Sequence, residues 1–329
     1  MVSRTPTVSV VVPNYNHARF LRERLDSIYD QRFRDFEVIL LDDRSSDGSV
    51  DILRDYARRA NTRLAVSSRN SGSPFAQWNR GVGLACGEYV WIAESDDYAE
   101  PGFLDACIDR LAAGPTLGLA YTDSWMVDED GDRLERRSTF LAEKLNEAPE
   151  QEDHIRCGRD EVITRMIRWN TIPNASAAVF KRRLFLDVGG ADAAMRLAGD
   201  WLMWIKILER CDIAYIAEPL NYNRTHAKSM RSRFGSDLTG LGEKIAVLRY
   251  ALEHFPLDNQ VASQALNTIA GPRRIERIRR SALRSLTMKE LLSQVSDDEL
   301  FAPASLKFAA GNVGRRIWKR ICSATGGRH

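Results

Sequence analysis

An α/β protein, with a mainly parallel central sheet flanked by helices and a C-terminal helical extension, is what this sequence predicts. Three observations predict it. Short apolar runs alternate with segments of helical period through the first half of the chain. Polar clusters sit at the ends of those runs, where turns belong. After about Ser236 the strand pattern stops and only helical period continues.

Val8-Ser9-Val10-Val11-Val12 reads as a buried strand, stopped by Pro13-Asn14. Leu21, Leu25 and Ile28 then recur at helical spacing. Phe36 to Leu41 is the second strand, ended by Asp42-Asp43, and Asp47-Gly48-Ser49 opens a helix that carries Ile52, Leu53 and Tyr56. Arg63 to Val66 is a third strand, Pro74 to Leu84 a third helix and Glu88 to Ala93 a fourth strand. Phe103 to Leu111 continues as helix and Leu117 to Tyr121 as strand. Residues 128–160 are charged and weakly periodic, which predicts a mobile excursion. Asn174 to Phe180 is strand-like, Trp201 to Leu208 helical, and Ile213 to Ala217 a strand ended by Glu218-Pro219.

Ligands of such sheets bind beyond the carboxyl ends of the strands. Those ends carry Pro13-Asn14-Tyr15-Asn16, Asp42-Asp43 and Glu94-Ser95-Asp96-Asp97, so three polar clusters converge on one edge. The last cluster places three carboxylates in four residues, and positive charge must answer them. Hard oxygen ligands of this kind suit Mg²⁺ or Mn²⁺. A solvated turn after a strand is the plainer explanation of the same residues.

The 329 residues are 44% hydrophobic and 28% charged, ample for a large core. A net charge of +2 argues against nucleic acid as a partner. The five cysteines show no CxxC spacing, and strand pattern begins within ten residues of Met1. No apolar run approaches the roughly 18 residues of a spanning helix. These features lead to the expectation of a cytoplasmic protein.

Six blocks carry a resemblance: VSVVVPNYNH, EVILLDDRSSDGS, NSGSPFAQWNRGVGLACGEYVWIAESDDYAEP, NASAAVFKRRLF, RLAGDWLMWIKI and EPLNYNRTHAKSM. In this order, through roughly Val8 to Met230, the chain resembles the family 2 glycosyltransferases, inverting enzymes of GT-A (Rossmann-like) fold that use nucleotide sugars. The domain so implied covers residues 1–235, and residues 236–329 form the helical region with its basic tail.

The resemblance implies roles. Tyr15, beside Pro13, lies against the nucleobase, and Asp43 accepts the imide N–H of a uracil or thymine ring. Asp96 matches the principal metal ligand. Glu94 stands where the family has its first acid, so the motif reads E-x-D; one methylene longer, it reaches the ribose, or the metal through water. Ser95 belongs to the same donor-binding turn, and Asp97 is an adjacent candidate ligand. His226 matches a further metal ligand, and imidazole suits Mn²⁺ better than Mg²⁺. Arg224 and Ser229 are expected on phosphate, Asn70 and Asn79 near the donor, and Asn174, Ala175 and Ser176 on the acceptor side. Asp200 matches the general base, with Gly199 giving room for close approach. By itself Asp200 also reads as a helix N-cap, and Asp43 as a turn residue.

The implied reaction moves one sugar from a UDP- or dTDP-sugar to a hydroxyl of a glycan or lipid-linked acceptor, in cell-surface polysaccharide assembly. A sugar nucleotidyltransferase is the alternative enzyme, but Pro13-Asn14-Tyr15-Asn16-His17 is not a Gly-rich triphosphate loop. A non-catalytic nucleotide-binding or scaffold protein of the same fold is the other alternative. Outside the resemblance, Phe301 to His329 carries +6 with no acidic residue. Arg315, Arg316, Lys319 and Arg320 around Ile317, Trp318 and Ile321 suit a helix lying on an anionic membrane, or a solvated basic end. A homodimer through the helical region is a further expectation.

Overall fold

In the computed structural model the described residues are 5–227, 238–257 and 259–270. Ser229 and the basic tail lie outside them, so the expectations placed there have no structural counterpart.

Strands β1 (Val8–Asn14), β2 (Phe36–Asp42), β3 (Thr62–Val66) and β4 (Tyr89–Ile92) form the parallel half that the sequence predicts. The sheet is mixed beyond β4. Its order is β3-β2-β1-β4-β9-β6-β10-β5, with β5 (Tyr98–Ala99), β6 (Leu117–Val127), β9 (Ala178–Lys181) and β10 (Asp212–Arg224). Strand β9 runs antiparallel between β4 and β6, while β6 and β10 are parallel.

Both faces of the parallel half are covered, which is why its strands read as nearly continuous apolar runs. Alternation divides each strand between two cores. Val11, Ile39 and Leu41 face one side, with α3 (Pro74–Leu84). Val10, Val12, Val38 and Leu40 face the other, with α1 (Ala18–Tyr29), α2 (Ser49–Tyr56) and α4 (Phe103–Ala112). Gly81 lets α3 lie flat on the sheet: a Cβ there would stand 2.2 Å from Val11 Cγ1.

Two expectations need correction. Residues 128–160 are built into the fold. They contain β7 (Arg133–Arg136), α5 (Arg137–Leu145), β8 (His154–Arg156) and the start of α6 (Gly158–Glu161); β7 pairs with β6 and β8 with β10. Many of their charges are exposed, but several tie the segment to the fold. Arg136 bonds the buried Asp123 at 2.8 Å, and Arg165 bonds Glu147 at 3.0 Å and Glu150 at 2.8 Å. Strand β10 also does not stop at Pro219. The register shifts on either side of Pro219, so its missing N–H falls at a bulge, and the strand runs on to Arg224.

Between β9 and β10 lie α7 (Arg182–Asp187) and α8 (Gly199–Leu208). The helices expected after Ser236 appear as Leu238–His254 and Asn259–Ala270. Val247, Leu248, Ala251 and Leu252 pack into the same core as Trp204, Ile205 and Leu208 of α8. No described helix is long and apolar enough to cross a membrane.

Candidate active site

The acidic turn begins where β4 ends. Ala93 N–H makes a last bond to Val11 O, and three side chains then hold the turn by its backbone. Glu94 N–H donates to Ser176 Oγ at 3.0 Å, Arg24 Nε donates to Glu94 O at 2.8 Å, and Arg224 Nε donates to Asp96 O at 2.9 Å. Arg24 is 0% exposed, from the inner face of α1, and is held over the Trp91 ring at 5.2 Å. Burial pulls its pKa down to about 10 against the pull of Asp97, Asp96, Glu94 and Glu23, so it stays charged at neutral pH. The chain therefore supplies its own counter-charge to the carboxylates. The sequence points to a divalent ion for that role and gives Arg24 none. Its signal was present: a charged residue one place before Leu25 on the apolar stripe of α1.

The three carboxylates have different surroundings. Glu94 is half-buried against Trp78, whose Nε1 donates to Oε1 at 2.5 Å. Burial, then the charge of Asp96, pushes its pKa up to about 8. Asp97 turns away, into the end of β10. It accepts from Asn174 Nδ2, from Asn223 Nδ2 at 3.2 Å and from Arg224 N–H at 2.9 Å. Burial and Asp96 raise it to about 6. These bonds make Asp97 a brace between β10 and the turn, placed apart from the cluster that Asp96 forms. Asp96 itself bonds His226 Nε2 at 3.0 Å. Burial works against its ionised form, but the His226 bond and the nearby His17 prevail and hold it below the ordinary carboxylate value.

His17, at the start of α1, completes this group. Ligand atoms of His17, Asp96 and His226 all lie within 4.8 Å of one another. The His17 ring meets the His226 ring edge-on, centroids 5.5 Å apart, and its Nδ1 pairs with Ser95 Oγ at 2.8 Å. Two imidazoles and one carboxylate fit a divalent transition ion such as Mn²⁺ better than Mg²⁺. Sequence reading assigns no role to His17, the last residue of VSVVVPNYNH. It too follows β1 at the carboxyl edge, and that position was the available signal.

The nucleotide-side residues come together partly as expected. Tyr15 is 49% exposed just past β1, free of the core. Pro13 is buried within β1, paired with Leu41. Asp43 is buried, and both its oxygens already accept bonds: from Ser71 N–H at 3.0 and 2.9 Å, Ser71 Oγ at 2.7 Å and Gln77 Nε2 at 2.7 Å. Asn70 closes the same loop, donating to Asp43 O at 3.0 Å and accepting from Gly72 N–H at 2.6 Å. Asn79 lies elsewhere. Its amide exchanges two bonds with the Ala191 backbone, at 2.8 and 2.9 Å, which ties α3 to the loop before α8. Arg224, expected on phosphate, spends its donors on the protein: Asp96 O, Asp128 O, Glu129 O and Glu23.

Asp200 stands half-buried in the first turn of α8. Its Oδ1 accepts from Trp201 N–H at 2.7 Å, and Oδ2 accepts from Asn170 Nδ2 at 3.1 Å. Gly199 does permit close approach, and the group that approaches is Phe75: a Cβ would meet its ring at 2.6 Å. Phe75 packs edge-on against Trp78, which holds Glu94. A contiguous path of side chains thus joins the acidic turn to the start of α8. The loop before α8 is fastened by Glu243, from the helix Leu238–His254. Its buried carboxylate accepts the N–H groups of Arg196, Leu197 and Ala198 at 2.7, 2.8 and 2.8 Å. Asn174, Ala175 and Ser176 lead into β9, and Asn174 and Ser176 brace the acidic turn directly.

A pH effect on stability follows. A carboxyl whose folded pKa is raised stabilises the fold while protonated and loses that contribution as pH rises through the folded value. For Glu94 the window runs from its usual value up to about 8, and for Asp97 up to about 6. With a chelator present, the thermal midpoint is expected to fall as pH rises from 6 to 8. A midpoint that climbs over that range means Glu94 is ionised in the fold.

Comparison with known proteins agrees with this geometry. Residues 9–171 match the family model "Glycosyl transferase family 2". The chain is 30% identical over 150 residues to a hyaluronan synthase of Pasteurella multocida, covering 45% of this chain and 15% of that protein. It spans less than a fifth of the length of the curated hyaluronan and chondroitin synthases it matches. Among solved structures it resembles residues 1–349 of TarS from S. aureus in complex with UDP-GlcNAc: TM-score 0.62, 20% identity, 87% of this chain and 77% of that one. It also resembles the mannosyltransferase PcManGT from Pyrobaculum calidifontis in complex with GDP-Man and Mn²⁺: TM-score 0.57, 20% identity, 88% and 79%. With the GT-A sheet in place and the family's motifs at its carboxyl edge, residues 9–171 of this chain are a domain of glycosyl transferase family 2.

Proposed function

We propose that the protein is an inverting, metal-dependent glycosyltransferase that moves one sugar from a UDP- or dTDP-sugar to a hydroxyl of a glycan or lipid-linked acceptor. The observation that carries this reading is the group His17, Asp96 and His226, drawn from three separate elements to one point on the carboxyl edge of the sheet. TarS with UDP-GlcNAc and PcManGT with GDP-Man and Mn²⁺ support the donor class and the metal.

His17, Asp96 and His226 would hold the ion, which would supply positive charge to the leaving diphosphate. The remaining chemistry belongs to the chain. Asp200, oriented by Asn170 and by the first turn of α8, takes the proton of the acceptor hydroxyl. That oxygen forms its bond to the anomeric carbon while the bond from that carbon to the phosphate oxygen breaks. The nucleoside diphosphate leaves with the electron pair from the opposite face, and the configuration inverts. Tyr15, exposed beside the Asp43 loop, offers its ring to the base. A uracil imide at Asp43 has to displace Gln77 or Ser71 from the carboxylate, so donor binding is expected to rearrange that loop. The acceptor belongs to cell-surface polysaccharide assembly, with the enzyme at the cytoplasmic face of the membrane.

Calorimetric titration of UDP with and without Mn²⁺ tests the reading. Metal-dependent binding is expected. If neither UDP nor dTDP binds under either condition, the donor assignment fails.

A further inference from the structure

We propose that His17 is a third protein ligand of the metal, and that the two-imidazole set loads a transition ion before the nucleotide arrives. This rests on the metal-dependent reading above and adds to it a ligand, a metal preference and an order of binding.

Three observations carry it. First, the donor atoms of His17, Asp96 and His226 already lie within 4.8 Å of one another, close enough for one ion to bridge. Three ligands from the protein alone hold an ion without help from a diphosphate; a single carboxylate needs that help. Second, the His17 ring makes the kind of outer bond that steadies a ligating ring. Its Nδ1 pairs with Ser95 Oγ at 2.8 Å, which leaves Nε2 as the coordinating nitrogen. Ser95 is itself 1% exposed and lies inside the acidic turn, so the bond ties the ring to the loop that carries Asp96. Third, the ligands stand on parts of the fold that are fixed separately. His17 accepts the first backbone bonds of α1 with its carbonyl, from Phe20 and Leu21 N–H, both at 3.0 Å. His226 follows β10, whose end is held by Thr225 N–H to Val127 O at 2.8 Å. Asp96 is held by Arg224 through its carbonyl. A site preformed in this way pays little ordering cost on binding the ion.

The donor set decides which ion. Mg²⁺ prefers oxygen and retains its waters, whereas imidazole favours the later divalent ions. Of the two metals the fold suggests, the site therefore takes Mn²⁺. Asp97 has no part in coordination, because Asn174, Asn223 and Arg224 occupy its carboxylate.

The test is Mn²⁺ binding to nucleotide-free protein, followed by electron paramagnetic resonance. Bound Mn²⁺ is expected without UDP, and pulsed spectra of the wild-type protein should show nitrogen couplings from two imidazoles. His17→Gln should remove one set of couplings and weaken Mn²⁺ binding at least about tenfold. Its preference over Mg²⁺ should fall in parallel. Couplings from one imidazole only, or Mn²⁺ affinity unchanged in His17→Gln, overturn the ligand assignment. Mn²⁺ that binds only with UDP overturns the order while the metal-dependent reading stands. No Mn²⁺ with or without UDP overturns both.

Discussion

Asp200→Asn is expected to lower sugar transfer by about 10²–10⁴-fold and to leave nucleotide affinity unchanged. The substitution isolates the proton-accepting function. Asparagine has the same shape, and its carbonyl oxygen still accepts from Trp201 N–H, so the start of α8 is kept. Its amide nitrogen replaces Oδ2 opposite Asn170, which answers by turning its own amide. What is lost is the basic carboxylate. Initial rates with a UDP-sugar and calorimetry with UDP, run on one preparation, separate the two effects. Transfer at wild-type rate in the variant eliminates Asp200 as the base. Equal loss of binding and transfer makes it part of the donor site.

The second large effect is expected at Arg24. Arg24→Met removes a fully buried cation from beside Glu94, Asp96 and Asp97 and leaves the carboxylates uncompensated. Breaking a buried charge arrangement by removing one partner costs about 3–5 kcal/mol. The bond from Nε to Glu94 O is lost as well, so the acidic turn loses one of its backbone anchors. Urea unfolding of the metal-free protein at neutral pH measures the cost. Arg24→Met combined with Asp96→Asn should recover part of it, since Asp96 is the facing carboxyl held ionised at neutral pH. Unfolding free energies within about 1 kcal/mol of wild type would sink the claim that Arg24 neutralises the turn.

Both predictions concern residues whose legibility in sequence differed. Asp200 stood out as a candidate because RLAGDWLMWIKI carries the family's pattern. Local reading alone left it as a helix cap; in the structure Ala198 holds that place, and Asp200 lies inside the first turn, accepting from Trp201 N–H. Arg24 was illegible because charge is read as exposure, and only a three-dimensional count of neighbouring charges shows why burial is tolerated there. The same bias hid the excursion of residues 128–160, whose ion pairs join residues far apart in sequence.

Sequence by itself determined the parallel half of the sheet and the edge on which the polar clusters meet. Both follow from local rules: apolar period assigns strands and helices, and strand ends in βαβ units share one side. The resemblance also assigned Asp96 and His226 to one site, and the two side chains do meet, at 3.0 Å. Only the tertiary structure decided the rest. It split Asp96 from Asp97, two adjacent residues, because successive side chains leave a turn in different directions; one meets His226 and the other the end of β10. It placed His17, 79 residues before Asp96 and 209 before His226, within bonding distance of a common point. It turned Arg224 and Asn79 from donor contacts into braces, since their hydrogen bonds go to backbone that no spacing rule brings near. Distances along a chain bound what can meet, and packing of α1 and β10 against the acidic turn selects what does.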